Sequence, residues 1–337
     1  MVTIYDIAKK VGCASSTVSR ALNSTRHVSP PLKREIERVA KELGYVANVT
    51  ARNLISNESR SIGVIYHESL EIGLEHQHFG GILQSFKTYV EQMGFEITFV
   101  SRKAGMRELT YLEWCKSRRI VGILIVTIDD KDEQLIELIE SDIPVVSVNK
   151  VDLNCPAIIS NNEQGTLMAM EYFLQNNKKR IAHISLPESS FSGKERCETY
   201  KKFMYEQFHE KNEPIVITAS NYKYEDGYDA GMKLIKNYNS LPEALYAGSD
   251  MLAIGAIRAL IDSGYKVPED IEVIGFDDIE IARYITPALT TIAQDKYRIG
   301  VEAGKLLISF ITEEEEKQKN LVLRIPVSLI VRDSTQG

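Results

Sequence analysis

The sequence predicts an all-α helix-turn-helix head followed by an α/β body of doubly wound parallel sheets. Three observations carry this expectation. Residues 2–28 (VTIYDIAKKVGCASSTVSRALNSTRHV) pattern as two short helices joined by a tight turn. From residue 61 onward, short apolar runs alternate with amphipathic helical stretches, which implies parallel strands covered by helices on both faces. Charge divides the chain as well: residues 1–60 carry ten Lys or Arg against five acids, a net +5. The 337-residue chain is −7, so −12 falls on the remainder.

In the head, Thr3 followed by Asp6 matches a capping box that opens the first helix. Ile4, Ile7, Ala8 and Val11 recur at helical spacing and form one apolar face. Gly12 permits the left-handed residue that ends the helix. The second helix begins near Ala14–Ser15 and turns Val18 and Leu22 inward. Ser15, Ser16 and Arg20 then fall on its outward side. Ser29 is the cap of a third helix, with Pro30 and Pro31 in its first turn and Gly44 at its stop. Ile36, Val39, Ala40 and Leu43 give that helix a buried stripe. A protein-binding three-helix bundle would share this pattern. The basic surplus favours a head that neutralises phosphates in the major groove of DNA.

Residues 45–60 lack a full core pattern and read as a hinge. In the body, apolar runs lie at 62–66, 96–100, 121–126, 145–148, 181–185, 215–218, 244–247 and 272–276. Helical stretches lie between them and over 298–310. Glu313–Glu316 reads as a solvated loop. Hydrophobic residues at 44% and charged residues at 26% describe a soluble globular chain. No apolar run approaches the ~20 residues of a membrane span. Cys13, Cys115, Cys155 and Cys197 are scattered without C-x-x-C spacing, which fits reduced thiols in the cytoplasm. The chain opens on the head, so no signal peptide is expected. No catalytic motif stands out. Gly300–Lys305 is one residue short of a P-loop and lies within a helical pattern. No enzyme activity, cofactor or metal is expected.

Several ordered motifs together resemble the LacI/GalR family of bacterial transcription regulators. They are VTIYDIAKKVG, TVSRALN at 17–23, Val28-Ser29, ELGY at 42–45, and Asn48, Ala51, Arg52 and Leu54 at their spacing. SIGVI at 61–65, GSDMLAIG at 248–255, VPEDIEVIGFDD at 267–278, PALTTI at 287–292 and RDST at 332–335 extend the resemblance over the whole chain. Ala14 departs from the usual capping serine, and Ala47 from a usual proline.

The resemblance implies a DNA-binding head over 1–46, a hinge helix and linker over 47–60, and an effector-binding, dimerising domain over 61–337. That domain is expected to hold two periplasmic-binding-protein-like subdomains, about 61–160 with 291–323 and 161–290 with 324–337. The chain should cross between them near 160, 290 and 325. Ligands of open α/β sheets bind at such strand ends.

For DNA, Ser15, Ser16 and Arg20 are the expected base-reading residues, with Asn23 and Arg26 on phosphate. A surface arginine on phosphate is the plainer reading of Arg20. Thr3, Tyr5, Thr17, Asn48 and Arg52 complete the set. By the resemblance, Leu54 belongs to a hinge helix that orders on the operator and wedges into the minor groove with its partner's leucine. A homodimer on a near-palindromic site follows. No leucine heptad follows Arg332, so nothing points to a tetramerisation tail.

For the effector, Asp277 ends a buried strand, where a carboxylate can accept from adjacent sugar hydroxyls; a structural acid is the alternative, shared with Asp278. Arg196, in Arg-x-x-x-Tyr with Tyr200, can hold a carboxylate, phosphate or hydroxyl, or pair with Asp277. Ser192, Tyr222 and Phe79 are further candidates, and Asp250 is a helix cap first and a ligand residue second. His76 and His78 form an H-x-H too sparse for a metal site. Small sugars lead as effectors, and a purine, nucleoside or phosphorylated metabolite follows. A sugar-binding module without DNA binding, or an enzyme using the cleft, are the rival classes.

Overall fold

The structure, a computed structural model, describes residues 2–22, 28–45, 59–66, 77–101, 103–104, 107–127, 132, 134–148, 150–151, 153–208, 213–238, 240–313 and 320–336. The chain forms two units, residues 1–59 and 60–337.

The first unit holds α1 (Ile4–Val11), α2 (Ser15–Leu22) and α3 (Pro30–Glu42). The Thr3 backbone N–H and hydroxyl both donate to the Asp6 carboxylate at 2.8 Å, which closes the start of α1. These bonds hold the Asp6 carboxyl below its ordinary range. Gly12 ends α1 at φ 77, with its N–H on the Ala8 carbonyl at 2.9 Å. Ser29 is the N-cap residue of α3, with proline in the first turn where the N–H has no partner to lose. Ile7, Val18, Ala21, Ile36 and Val39 bury almost completely against one another. Helices this short are marginal alone, so this shared core is what holds them.

The second unit contains two sheets. The first subdomain comprises β1 (Ser61–Tyr66), α4 (Gln77–Gln92), β2 (Glu96–Phe99), a small hairpin of β3 (Lys103–Ala104) and β4 (Arg107–Glu108), α5 (Tyr111–Ser117), β5 (Gly122–Thr127), α6 (Gln134–Ile139), β6 (Val145–Val148) and β7 (Ala157–Ser160). The second comprises α7 (Asn162–Gln175), β8 (Ile181–Ser185), α8 (Phe191–Phe208), β9 (Ile215–Thr218), α9 (Tyr224–Asn237), β10 (Ala244–Ala247), α10 (Asp250–Asp262), β11 (Glu272–Asp277) and β12 (Thr290–Gln294). Then α11 (Lys296–Ile311) and β13 (Val322–Ile325) return to the first, and β14 (Val327–Ile330) ends in the second.

The sheet orders are β13-β7-β6-β5-β1-β2 and β14-β12-β11-β10-β8-β9. Within these two sheets every described pairing is parallel except β12 with β14. That exception follows from the path. β7 and β12 both leave their sheets at carboxyl ends and feed the other subdomain, so the carboxyl ends of the two sheets face one another. β13 runs into β14 across Pro326 and enters the second sheet from that side, hence antiparallel. Apolar clusters cover both faces of each sheet.

Sheet membership puts the crossings at 161, 295 and 326. β12 stays in the second sheet through Gln294, rather than leaving at 290. β13 pairs with β7 through Ile325, so the first subdomain extends past 323. Periodicity did not reveal α5, β7, β12, β13 or β14. β13 and β14 are four residues long and half-exposed, so neither forms a continuous apolar run. For α5 a local signal existed in the capping box of Thr110 and Glu113.

Candidate functional site

On the head, Thr3, Tyr5, Ser16 and Arg20 are exposed, and Ser15 and Thr17 are half-buried at the start of α2. Tyr5 stands out with 69% of its surface accessible. The helix starts without a side-chain cap: Ala14 receives the Thr17 and Val18 N–H groups through its backbone carbonyl alone. Lys10, Lys33 and Arg38 pair with Glu42, Glu37 and Glu35, all acids of α3. Asn23, Arg26, Asn48, Arg52 and Leu54 lie outside the described residues, as does His76.

In the second unit, Arg196 on α8 is 3% exposed. Its guanidinium carbon lies 3.4 Å from the centre of the Phe276 ring. Its Nε donates to Asn162 Oδ1 at 2.9 Å and its Nη1 to the Gly248 carbonyl at 2.5 Å. Among the described residues, Nη2 has no protein acceptor. Burial pulls the Arg196 pKa down, opposed by Tyr246, Asp277, Glu195 and Asp250. A buried guanidinium with no carboxylate in ion-pair contact is costly, and a ligand that supplies an acceptor lowers that cost.

Asp277 ends β11 and is 6% exposed. Gln294, the last residue of β12, donates to it at 2.5 Å, and the Ser160 hydroxyl at the end of β7 donates to Gln294 at 2.5 Å. A residue of the first subdomain thus orients the carboxylate through one amide. Asp277 and Asp278 take φ values of 131 and 49, a pair of positive-φ residues that turn the chain at the strand end. Asp278 is engaged structurally, accepting from Arg332 at 2.5 Å and Arg283 at 3.1 Å. Those two cations hold its carboxyl low against the burial that raises it.

The other candidates sit differently. Ser192 is buried in the first turn of α8. Tyr222 is half-buried against the core of the second subdomain. Phe79 packs inside the first subdomain, edge-on to Tyr66 and His78. Asp250 is fully buried just after its cap, Ser249. Its two oxygens accept from the Thr291 hydroxyl at 2.5 Å and the Ile279 N–H at 2.9 Å. It joins strand ends as a structural acid, while Ser249 takes the capping role expected of Asp250. Burial, reinforced by the Asp277 charge, pushes its pKa up to about 7.

Residues 3–48 match the family described as "Bacterial regulatory proteins, lacI family", and residues 170–335 match a "Periplasmic binding protein-like domain". The chain is 32% identical, over all its length and 99% of the relative, to "Probable HTH-type transcriptional repressor ExuR" of Bacillus subtilis. It is 31% identical, over the same shares, to the HTH-type transcriptional repressor PurR of Haemophilus influenzae. The chain belongs to the LacI family. The lac repressor dimer bound to operator and the anti-inducer ONPF superposes with a TM-score of 0.84, at 27% identity over 100% of this chain and 99% of that one. A CelR-cellobiose complex superposes at 0.73, with 25% identity over 99% and 100%.

The chain is thus a LacI-family transcriptional regulator with a DNA-binding head and an effector-binding domain. Its relatives are repressors, not enzymes. No described helix is long and apolar enough to cross a membrane. Sequence reasoning did not single out Asn162, Gln294 and Ser160, which fix Arg196 and Asp277. They carry no local pattern, because each is defined by a partner far along the chain.

Proposed function

We propose that this regulator is a cytoplasmic repressor that binds a near-palindromic operator as a homodimer and answers to a small polyhydroxylated ligand held at Arg196 and Asp277. The carrying observation is a buried cation on α8 and a buried carboxylate at the end of β11, each fixed by its neighbours. Arg196 offers a buried donor, and Asp277 a buried, pre-oriented acceptor. A sugar has adjacent hydroxyls that can accept from the first and donate to the second. The sugar reading draws further support from the cellobiose and ONPF complexes of the structural relatives. The PurR relatives favour a second reading, in which a purine engages the same guanidinium. Burial pushes the Cys115 and Cys155 thiols up to about 12, which suits inert reduced thiols.

Arg20, Ser15 and Ser16 read base edges, with Thr3, Tyr5, Thr17, Asn23, Arg26, Asn48 and Arg52 supporting on the backbone and Leu54 wedging the minor groove. Ligand binding changes the angle between the subdomains and so the fit of two hinge segments on DNA. By linkage, operator and effector alter each other's affinity by the same factor.

The test is selection of genomic fragments by the purified protein, alone and with sugars or purines added. A recovered near-palindrome with half-sites about one helical turn apart supports the reading. Sugars and purines are then titrated into the preformed complex to name the effector. Absence of enrichment under every condition overturns it.

A further inference from the structure

Arg324 lies on β13 in the first subdomain, and Glu195 lies on α8 in the second. Across the seam they form a two-pronged ion pair, Nη2 to Oε1 at 2.6 Å and Nη1 to Oε2 at 3.1 Å. Glu195 Oε2 also accepts from Asn162 Nδ2 at 2.9 Å, and Asn162 Oδ1 accepts from Arg196 Nε at 2.9 Å. Only one orientation of the Asn162 amide satisfies both neighbours, since a carboxylate only accepts and a guanidinium only donates. Asn162 is 1% exposed, so no bulk water substitutes for either bond. Asn162 also sits on the second residue past β7, at the crossing itself.

We propose that Glu195 and Arg324 are positioning residues for the effector arginine: Arg324 clamps Glu195, Glu195 sets the Asn162 amide, and Asn162 aims Arg196. This rests on the reading of Arg196 as an effector group. The chain makes the first subdomain a party to the placement of Arg196. A rotation that separates Arg324 from Glu195 releases the Asn162 amide, and a ligand that pulls on Arg196 is felt at Arg324. The fork geometry matters because a bidentate arginine fixes a carboxylate in direction as well as in distance.

The test follows the Arg196 Nε–H by NMR in the full-length, arginine-labelled protein without ligand, with the signal assigned through Arg196→Lys. Hydrogen exchange of that proton is compared with the backbone amides of β10 and β11, which report whether the subdomain stays folded. With Arg324→Gln, exchange of the Arg196 Nε–H is expected to speed up on the order of tenfold or more, with the amides unchanged, because a charge-assisted bond is lost. Glu195→Gln keeps the shape, removes the charge and is expected to do the same. The double variant should exceed neither, since the residues act in series. An Arg196 signal indifferent to Arg324→Gln, or effects that add, overturns the proposal. None of these readouts needs a ligand, so a failed effector survey strikes the functional reading and leaves this coupling standing.

Discussion

At the scale of single residues, a buried cation and a buried carboxylate are each fixed by neutral hydrogen-bonding groups. Arg196 is held over Phe276 by Asn162 and Gly248, and Asp277 is held by Gln294. The positive φ values at Asp277 and Asp278 cost about 1–3 kcal/mol each, and such strain persists where surrounding bonds over-determine it. Asp277→Asn keeps the shape but offers an amide where hydroxyls would donate. It is expected to abolish the effector response while operator binding is retained, measured by titrating effector into the preformed complex. A normal response would remove Asp277 from the site.

At the scale of elements, packing of α4 against α11 decides what the glycine-rich run at 300–305 is for. It lies wholly inside α11. A Cβ on Gly300 would meet the Ile82 carbonyl and the Ser85 hydroxyl, and would reach the Phe86 nitrogen at 2.7 Å. Two of these neighbours are backbone and cannot swing aside. The glycine therefore serves close helix approach, and the near P-loop spacing is incidental. Gly300→Ala is expected to destabilise the domain by about 1–3 kcal/mol through overpacking. Urea unfolding would show a lower midpoint at unchanged slope; an unchanged midpoint would mean α4 yields freely.

At the scale of the whole molecule, two buried titratable groups give stability opposite pH slopes. His183 stacks on Tyr246, with Nδ1 on the Tyr246 carbonyl at 2.9 Å. Burial pulls its pKa from 6.5 down to about 4. Between those values the unfolded chain binds the proton and the folded chain does not. The His183 contribution is therefore lost as pH falls through that window. Asp250, raised from 3.8 to about 7, holds its proton only when folded, so its contribution is lost as pH rises through nearly the same window. Asp250→Asn removes one of the two slopes. The variant should lose stability more steeply than the parent between pH 6.5 and 4, by on the order of a few kcal/mol across the window. Urea midpoints at several pH values check this, and parallel profiles would sink it.

What the sequence determined alone is what near neighbours decide. The Thr3–Asp6 capping, the Gly12 turn, the inward stripe of α3 and the alternation of strands with helices all arise from contacts within a turn or two. They are readable in residue order, as are the strand-end position of Asp277 and the helical phase of Arg196. Only the tertiary structure decided what those two side chains touch. Arg196 meets Asn162 across 34 positions, Arg324 meets Glu195 across 129, and Ser160 meets Gln294 across 134. Tertiary packing likewise made Asp250 a joint between Thr291 and Ile279 and set Phe79 in the core of the first subdomain. A local pattern encodes the conformation of a segment. The partner of a polar side chain depends on how segments with no sequence proximity pack, and in this chain those long-range partners run through the crossings between the two sheets.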